Sequence, residues 1–167
     1  MVINKSLSIF KFSKVSDVSD WKVVNDTVMG GQSNGEFYLD ESGYGVFAGI
    51  VSLENNGGFS YLRFRLNKMN ILDSQKIKIH LKGDGKKYQF RVKSSQYTQE
   101  SYISNFETTG KWQTVEILLS SLFPTFRGKK LNLPNFDGEY LEELGFLIGN
   151  KKNESFCLLL DTIELAN

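Results

Sequence analysis

One histidine and one cysteine set the limit on the side-chain chemistry open to this chain. His80 stands between Lys78 and Lys82 on the polar parity of an alternating run. A general base there would work among positive charges that oppose its protonation, and no nucleophile stands near it in sequence. Cys157, between Phe156 and Leu158, reads as a small buried hydrophobe. One Cys and one His make neither an intramolecular disulfide nor a zinc site. Asp84 lies between Gly83 and Gly85 with no base or metal partner in view, so it reads as a turn residue. Nothing here assembles an acid, a base and a nucleophile. The expectation is a protein that is not an enzyme, with no catalytic residue, no cofactor and no metal.

Binding is the chemistry left. Asn25, Asp26, Gly30, Gly31 and Ser33 form a polar, glycine-rich segment after Trp21. Its backbone N–H groups could cradle an anion, or its glycines could serve only the loop's own conformation. It is not a phosphate-binding P-loop, since no Gly-Lys-Ser/Thr follows. Tyr61, Arg63 and Arg65 share one parity of a strand-like run, and Lys78, His80 and Arg91 sit on the polar parity of two more. Trp112 heads a run on its more polar parity, where it stacks on a ligand or closes the end of the core. The candidate binding set is Asn25, Asp26, Tyr61, Arg63, Arg65, Lys78, His80, Arg91 and Trp112.

Charge is unevenly spread. Tyr61 to Lys93 carries ten Lys/Arg against two Asp/Glu, whereas Pro134 to Asn167 carries two Lys against seven Asp/Glu. Either these segments neighbour and neutralise each other, or the first presents a basic face to an acidic partner. The whole chain has a net charge of +1, which removes bulk attraction to nucleic acid.

The elements that must position these residues are strands. Period-two alternation runs through Leu7–Phe12, Gly45–Leu53, Gly58–Leu66, Gln75–Lys82, Lys86–Lys93, Ser101–Phe106, Trp112–Leu119, Leu144–Gly149 and Phe156–Leu165. Ile77, Ile79 and Leu81, then Tyr88, Phe90 and Val92, are expected to face the core. Asp84-Gly85 between two such runs predicts a hairpin, which would set Lys78 opposite Arg91 and Lys82 opposite Lys87. Asn55 to Gly58 predicts a second hairpin turn. Short helices are expected at Leu119–Phe123 and Gly138–Leu144, and residues 121–137 read as free of strands.

With 167 residues, 40% hydrophobic and 13% aromatic, one domain spanning 1–167 is expected. No apolar run reaches the ~20 residues of a membrane-spanning helix. Met1 to Asp20 reads as neither a secretory signal nor a transit peptide, so a cytoplasmic location is expected.

Three stretches are more particular than generic strands. They are Trp21-Lys22-Val23-Val24-Asn25-Asp26-Thr27-Val28-Met29-Gly30-Gly31-Gln32-Ser33, Phe47 to Phe59 with Glu54-Asn55-Asn56-Gly57-Gly58-Phe59, and Lys82-Gly83-Asp84-Gly85-Lys86-Lys87-Tyr88. Gly110-Lys111-Trp112 and Phe126-Arg127-Gly128 follow. In order and spacing they resemble the complex I intermediate-associated protein family, from about Asp20 to the C-terminus. The resemblance implies an all-β, galactose-binding-like jelly-roll β-sandwich of two antiparallel sheets. It also implies a non-enzymatic binding role on a protein partner, since mitochondrial members act as assembly factors for respiratory complex I. The chain is similar to the stand-alone bacterial members. A carbohydrate-binding jelly roll is the alternative. The last strand, Leu159 to Leu165, is similar to the final strand of such modules, in which a residue matching Asp161 often binds a structural calcium.

Overall fold

The computed structural model describes residues 6–25 and 31–167. Asp26 and Gly30 of the expected loop fall outside the described residues. In chain order the strands are β1 (Ser6–Lys11), β2 (Trp21–Asn25), β3 (Asn34–Leu39), β4 (Gly45–Val51), β5 (Ser60–Asn70), β6 (Lys76–Lys82) and β7 (Lys87–Lys93). They continue with β8 (Ser101–Glu107), β9 (Trp112–Leu118), β10 (Phe123–Phe126), β11 (Lys129–Lys130), β12 (Tyr140–Ile148) and β13 (Glu154–Ala166). All pairings are antiparallel. One sheet runs β3-β4-β13-β6-β9, with β1 also on β13, and the other runs β11-β10-β8-β7-β12-β5-β2. Successive strands cross repeatedly from one sheet to the other, which is the jelly-roll sandwich.

The alternating pattern sets the core. Ile77, Ile79, Leu81, Tyr88, Phe90 and Val92 are all buried, as their parity requires. Phe90 packs against Phe146 of the neighbouring strand, with ring centroids 5.5 Å apart. At one end of the sandwich the aromatic-rich composition becomes a ring cluster. Trp21 stacks on Phe64 at 4.5 Å, and Phe10, Phe12 and Phe37 pack around it. Such offset and edge contacts add about 0.5–1.5 kcal/mol per pair to simple area burial.

The structure corrects both expected hairpins. β6 and β7 lie in different sheets, so Lys78 does not face Arg91, nor Lys82 Lys87. The turn chemistry is present, with Gly85 at φ +83°. The chain nevertheless crosses the sandwich there, because Asp84 fastens the crossing to both sheets. Its Oδ1 accepts the Tyr88 hydroxyl at 2.9 Å and its Oδ2 accepts the Cys157 backbone N–H at 2.8 Å. Thr108 secures the same crossing, accepting from the Gly85 N–H and donating to the Lys86 carbonyl. The segment Asn55–Gly58 likewise joins strands of different sheets, through a 3-10 turn at Glu54–Asn56.

Of the two short helices the sequence predicts, the first forms only as a single turn and the second does not form. Leu119–Ser121 is one turn of 3-10 helix, followed by β10 and β11 inside the segment read as strand-free. Gly138–Leu144 forms no helix, and from Tyr140 it is the start of β12. Its ladder with β5 slips between Leu141 and Glu143, so Leu141 and Leu144 are both buried three residues apart. That spacing imitates a helical repeat. β2 and β3 had no counterpart in the alternation.

Acidic strands are interleaved with basic ones. β12 lies between β5 and β7, and β13 between β4 and β6, which places Glu164 beside Lys78 and Glu143 beside Arg65 and Lys93. Neutralisation therefore accounts for part of the sequence imbalance, and the surplus is local.

Candidate functional site

The outer face of the seven-stranded sheet carries the surplus. Tyr61, Arg63 and Arg65 alternate outward along β5, and Arg91 and Lys93 do so along β7. β12 runs between them. Gly145 pairs with Arg63 on one side and Arg91 on the other, and Glu143 pairs with Arg65 and Lys93. The result is two rungs of cations, one across a glycine and one across a carboxylate. Neighbouring strands are about 4.8 Å apart and same-face residues about 7 Å apart, so the four cations frame a patch of roughly 10 by 7 Å at backbone level.

Above this patch lies an open groove of about 290 Å³. Five cationic side chains line it (Arg63, Arg65, Arg91, Lys93 and Arg127) against a single carboxylate, Glu143. Its floor is the Tyr61 ring. A side chain at position 145 would collide with that ring and with the Leu62 carbonyl, so the close approach requires glycine. The Tyr61 hydroxyl lies 3.4 Å from Glu143 Oε2, and Arg65 Nε donates to Glu143 Oε1 at 3.1 Å. Glu143 is buried and occupied by these two groups. Arg91 lies over the Tyr61 ring, its guanidinium carbon 5.6 Å from the centroid, and its Nε and Nη2 both donate to Gln89 Oε1. Arg127 lies over the ring of Phe126 at 5.2 Å. Both aromatic rings that line the groove therefore carry a guanidinium.

Burial, reinforced by the Glu143 carboxylate, pushes the Tyr61 phenol well above the ordinary tyrosine range. Burial and the Asp84 carboxylate do the same to Tyr88 in the core. Burial lowers the Arg91 value, which means that the guanidinium is held at a cost. The two phenols keep their protons more tightly folded than unfolded. Their contribution to stability is intact below about pH 10 and is lost as pH rises beyond it, by up to about 1.4 kcal/mol per pH unit for each tyrosine. An alkaline titration followed by phenolate absorbance is expected to show a late step that coincides with loss of the strand circular-dichroism signal, and Tyr61→Phe is expected to reduce its amplitude. A titration complete before any unfolding would contradict this.

The other candidates lie elsewhere. Lys78, His80 and Trp112 sit on the outer face of the opposite sheet. Lys78 pairs with Glu116 at 3.4 Å. His80 is outward as its parity requires, but it is not simply solvated: its Nδ1 is 2.7 Å from Asp161 Oδ2, and its ring stacks on Trp112 at 5.0 Å. Trp112 also packs against Tyr44 at 4.6 Å. It is thus half-buried on a surface platform and does not enter the core. The Asp161 carboxylate is engaged with His80, and no group of three His, Cys, Asp or Glu side chains converges among the described residues. Asn25 sits where the two sheets meet, its Oδ1 accepting from the Gly35 N–H and the Ser60 hydroxyl. Cys157 is half-buried on the outward parity, contrary to the expected core position, because alternation puts Phe156 and Leu158 inside. Burial and Asp84 push its thiol up, which favours the protonated form.

The expected set is therefore divided: Tyr61, Arg63, Arg65 and Arg91 come together on the seven-stranded sheet, and Lys78, His80 and Trp112 lie on the six-stranded one. Sequence reasoning missed Glu143, Lys93, Gln99 and Arg127. The alternation of Glu143, Gly145 and Leu147 against Leu144, Phe146 and Ile148 was the available signal for the first, hidden by the slip before it. No histidine or cysteine lines the groove.

Residues 10–160 match the family described as complex I intermediate-associated protein 30. No curated protein matches the sequence significantly. Among solved structures, the chain is similar to a family 11 carbohydrate-binding module from Clostridium thermocellum in complex with a beta-1,3-1,4-mixed-linked tetrasaccharide. The TM-score is 0.69 at 16% identity, over 99% of this chain and 96% of that chain. It is also similar to part of an exo-beta-agarase, with TM-score 0.62 at 13% identity over 96% of this chain and 25% of that chain. A family 29 carbohydrate-binding module matches with TM-score 0.56 at 9% identity, over 99% of this chain and 87% of that chain. At these identities the likeness is one of fold.

Proposed function

This chain belongs to the complex I intermediate-associated protein 30 family, and from that premise we propose that it is a single-domain, non-catalytic binding module of assembly-factor type, which holds a segment of a protein partner in the groove on its seven-stranded sheet. The observation that carries the reading is the groove itself. It gathers four of the residues that the sequence singles out, and its one carboxylate is spent on Arg65 and Tyr61. Such a site can hold and orient a ligand but has no free acid or base to act on it.

A saccharide is the second reading. The similarity to carbohydrate-binding modules favours it, with Gln99, Ser101 and Thr125 as hydroxyl partners. The covered faces of Tyr61 and Phe126 count against it, because a sugar ring packs on an open aromatic face.

The test is site-directed photo-crosslinking in native lysate. A crosslinker at exposed Gln99 beside the groove is expected to give discrete protein adducts, and one at exposed Thr114 on the opposite sheet is not. Adducts from Thr114 alone, or glycan-array binding lost in Arg63→Glu with no protein adduct, would overturn the reading.

A further inference from the structure

We infer that the groove selects a carboxylate-bearing ligand, namely an extended peptide segment with Asp or Glu at alternate positions; this rests on the groove being the binding site. Cations outnumber their partners there. Only Arg65 has a carboxylate partner, since Arg63, Arg91, Lys93 and Arg127 make no ion pair among the described residues. The hydrogen bonds of Arg91 and Lys93 are with neutral groups, and the Glu143 carboxylate acts on Arg91 only through space. Arg91 is oriented by the Gln89 side-chain carbonyl, and Lys93 donates to the Thr98 carbonyl at 2.9 Å. Such contacts aim a cation without neutralising it. A half-buried guanidinium held this way is costly until an anion arrives, and a carboxylate accepts its fork of N–H donors bidentately.

Spacing argues for a peptide. The Arg63/Arg91 rung and the Arg65/Lys93 rung are two residues apart along their strands. That separation, about 7 Å, equals the spacing of alternate side chains on an extended chain. A strand laid along β12 would bring one acidic side chain between Arg63 and Arg91 and the next towards Lys93, with Arg127 at the groove wall. The Glu143 carboxylate, engaged by Arg65 and Tyr61, leaves Lys93 as the donor to that second carboxylate.

Fluorescence anisotropy with a labelled peptide that repeats Glu-Thr tests this, against the same repeat carrying Gln in place of Glu. Binding of the Glu peptide is expected, falling as salt rises. The Gln peptide is expected to bind at least about tenfold more weakly, and Arg63→Gln with Arg91→Gln to weaken the Glu peptide by a similar factor. Lys78→Gln, on the opposite sheet, is expected to leave it unchanged. Thermal melts of the variants establish that each is folded. Equal binding of the two peptides, or none of either, overturns the inference while groove-dependent crosslinking still supports the binding module. Preferential binding of an oligouronate over the peptide overturns the peptide assignment. If Lys78→Gln weakens binding as much as the arginine changes do, the groove is not the site and both readings fall.

Discussion

Phe90→Ala is expected to destabilise the protein by about 3–5 kcal/mol. Phe90 is fully buried in the middle of β7, with Phe146 on one neighbouring strand and Ser104 on the other in register. Phe146 in turn packs edge-on against Phe106, so removing the Phe90 ring opens a cavity among rings that cannot collapse without moving two strands. Urea denaturation is the measurement, with an unchanged m-value showing that the unfolded state is not the cause. The effect bears on function, since the next residue, Arg91, points from the same strand into the groove. A destabilisation near zero would mean that β7 presents its other parity to the core, and the groove as described would not exist.

Replacement of Asp84 by alanine is expected to cost about 2–4 kcal/mol, although it changes a residue in a surface-reaching crossing. The carboxylate accepts the Tyr88 hydroxyl, whose ring is buried, and the Cys157 N–H of β13. Cys157 lies beyond the end of the β6–β13 ladder, which stops at Leu159 opposite Lys82, so on that side its N–H is served by the Asp84 side chain. Alanine leaves a phenol and an amide without their acceptor at once. Asp84→Asn keeps one oxygen and is expected to cost less. Chemical denaturation gives the energy, and amide hydrogen exchange at Cys157 gives the location, where protection should fall by more than in the rest of β13. A loss of less than about 1 kcal/mol, with exchange at Cys157 unchanged, would show that the bridge between the sheets is not a stabilising contact.

The two predictions meet at the crossing between β6 and β7, where the sequence and the structure part company. The alternation in those segments determines which side chains are buried, because a strand with one face in the core has only one parity to offer. Ile77, Ile79, Leu81, Tyr88, Phe90 and Val92 follow from that alone. Alternation does not determine which strand is the neighbour. Two strands that pair side by side and two that face each other across a sandwich bury the same residues, and Asp84-Gly85 suits either connection. Here the side chain of Asp84 finds partners in both sheets, and the chain crosses.

That one difference rearranges the surface. A hairpin would have massed Lys78, His80 and Arg91 on one basic face. The crossing sends Lys78 and His80 to the six-stranded sheet, where Glu116 and Asp161 meet them, and sends Arg91 to the other sheet beside Arg63. By itself the sequence determined the all-β class, the buried parity of the strands, the shared face of Tyr61, Arg63 and Arg65, and the motifs that carry the family resemblance. These depend on residues a few positions apart, or on residue order. Only the tertiary structure decided that β12 lies between β5 and β7, so that Gly145 opens a floor for Tyr61, Glu143 is spent on Arg65, and Arg91 and Lys93 are left without a carboxylate partner among the described residues. Those contacts join residues about eighty positions apart in the chain, as Tyr61 and Glu143 are. Which distant strands become neighbours is settled by the packing of the whole core, and no local pattern records it.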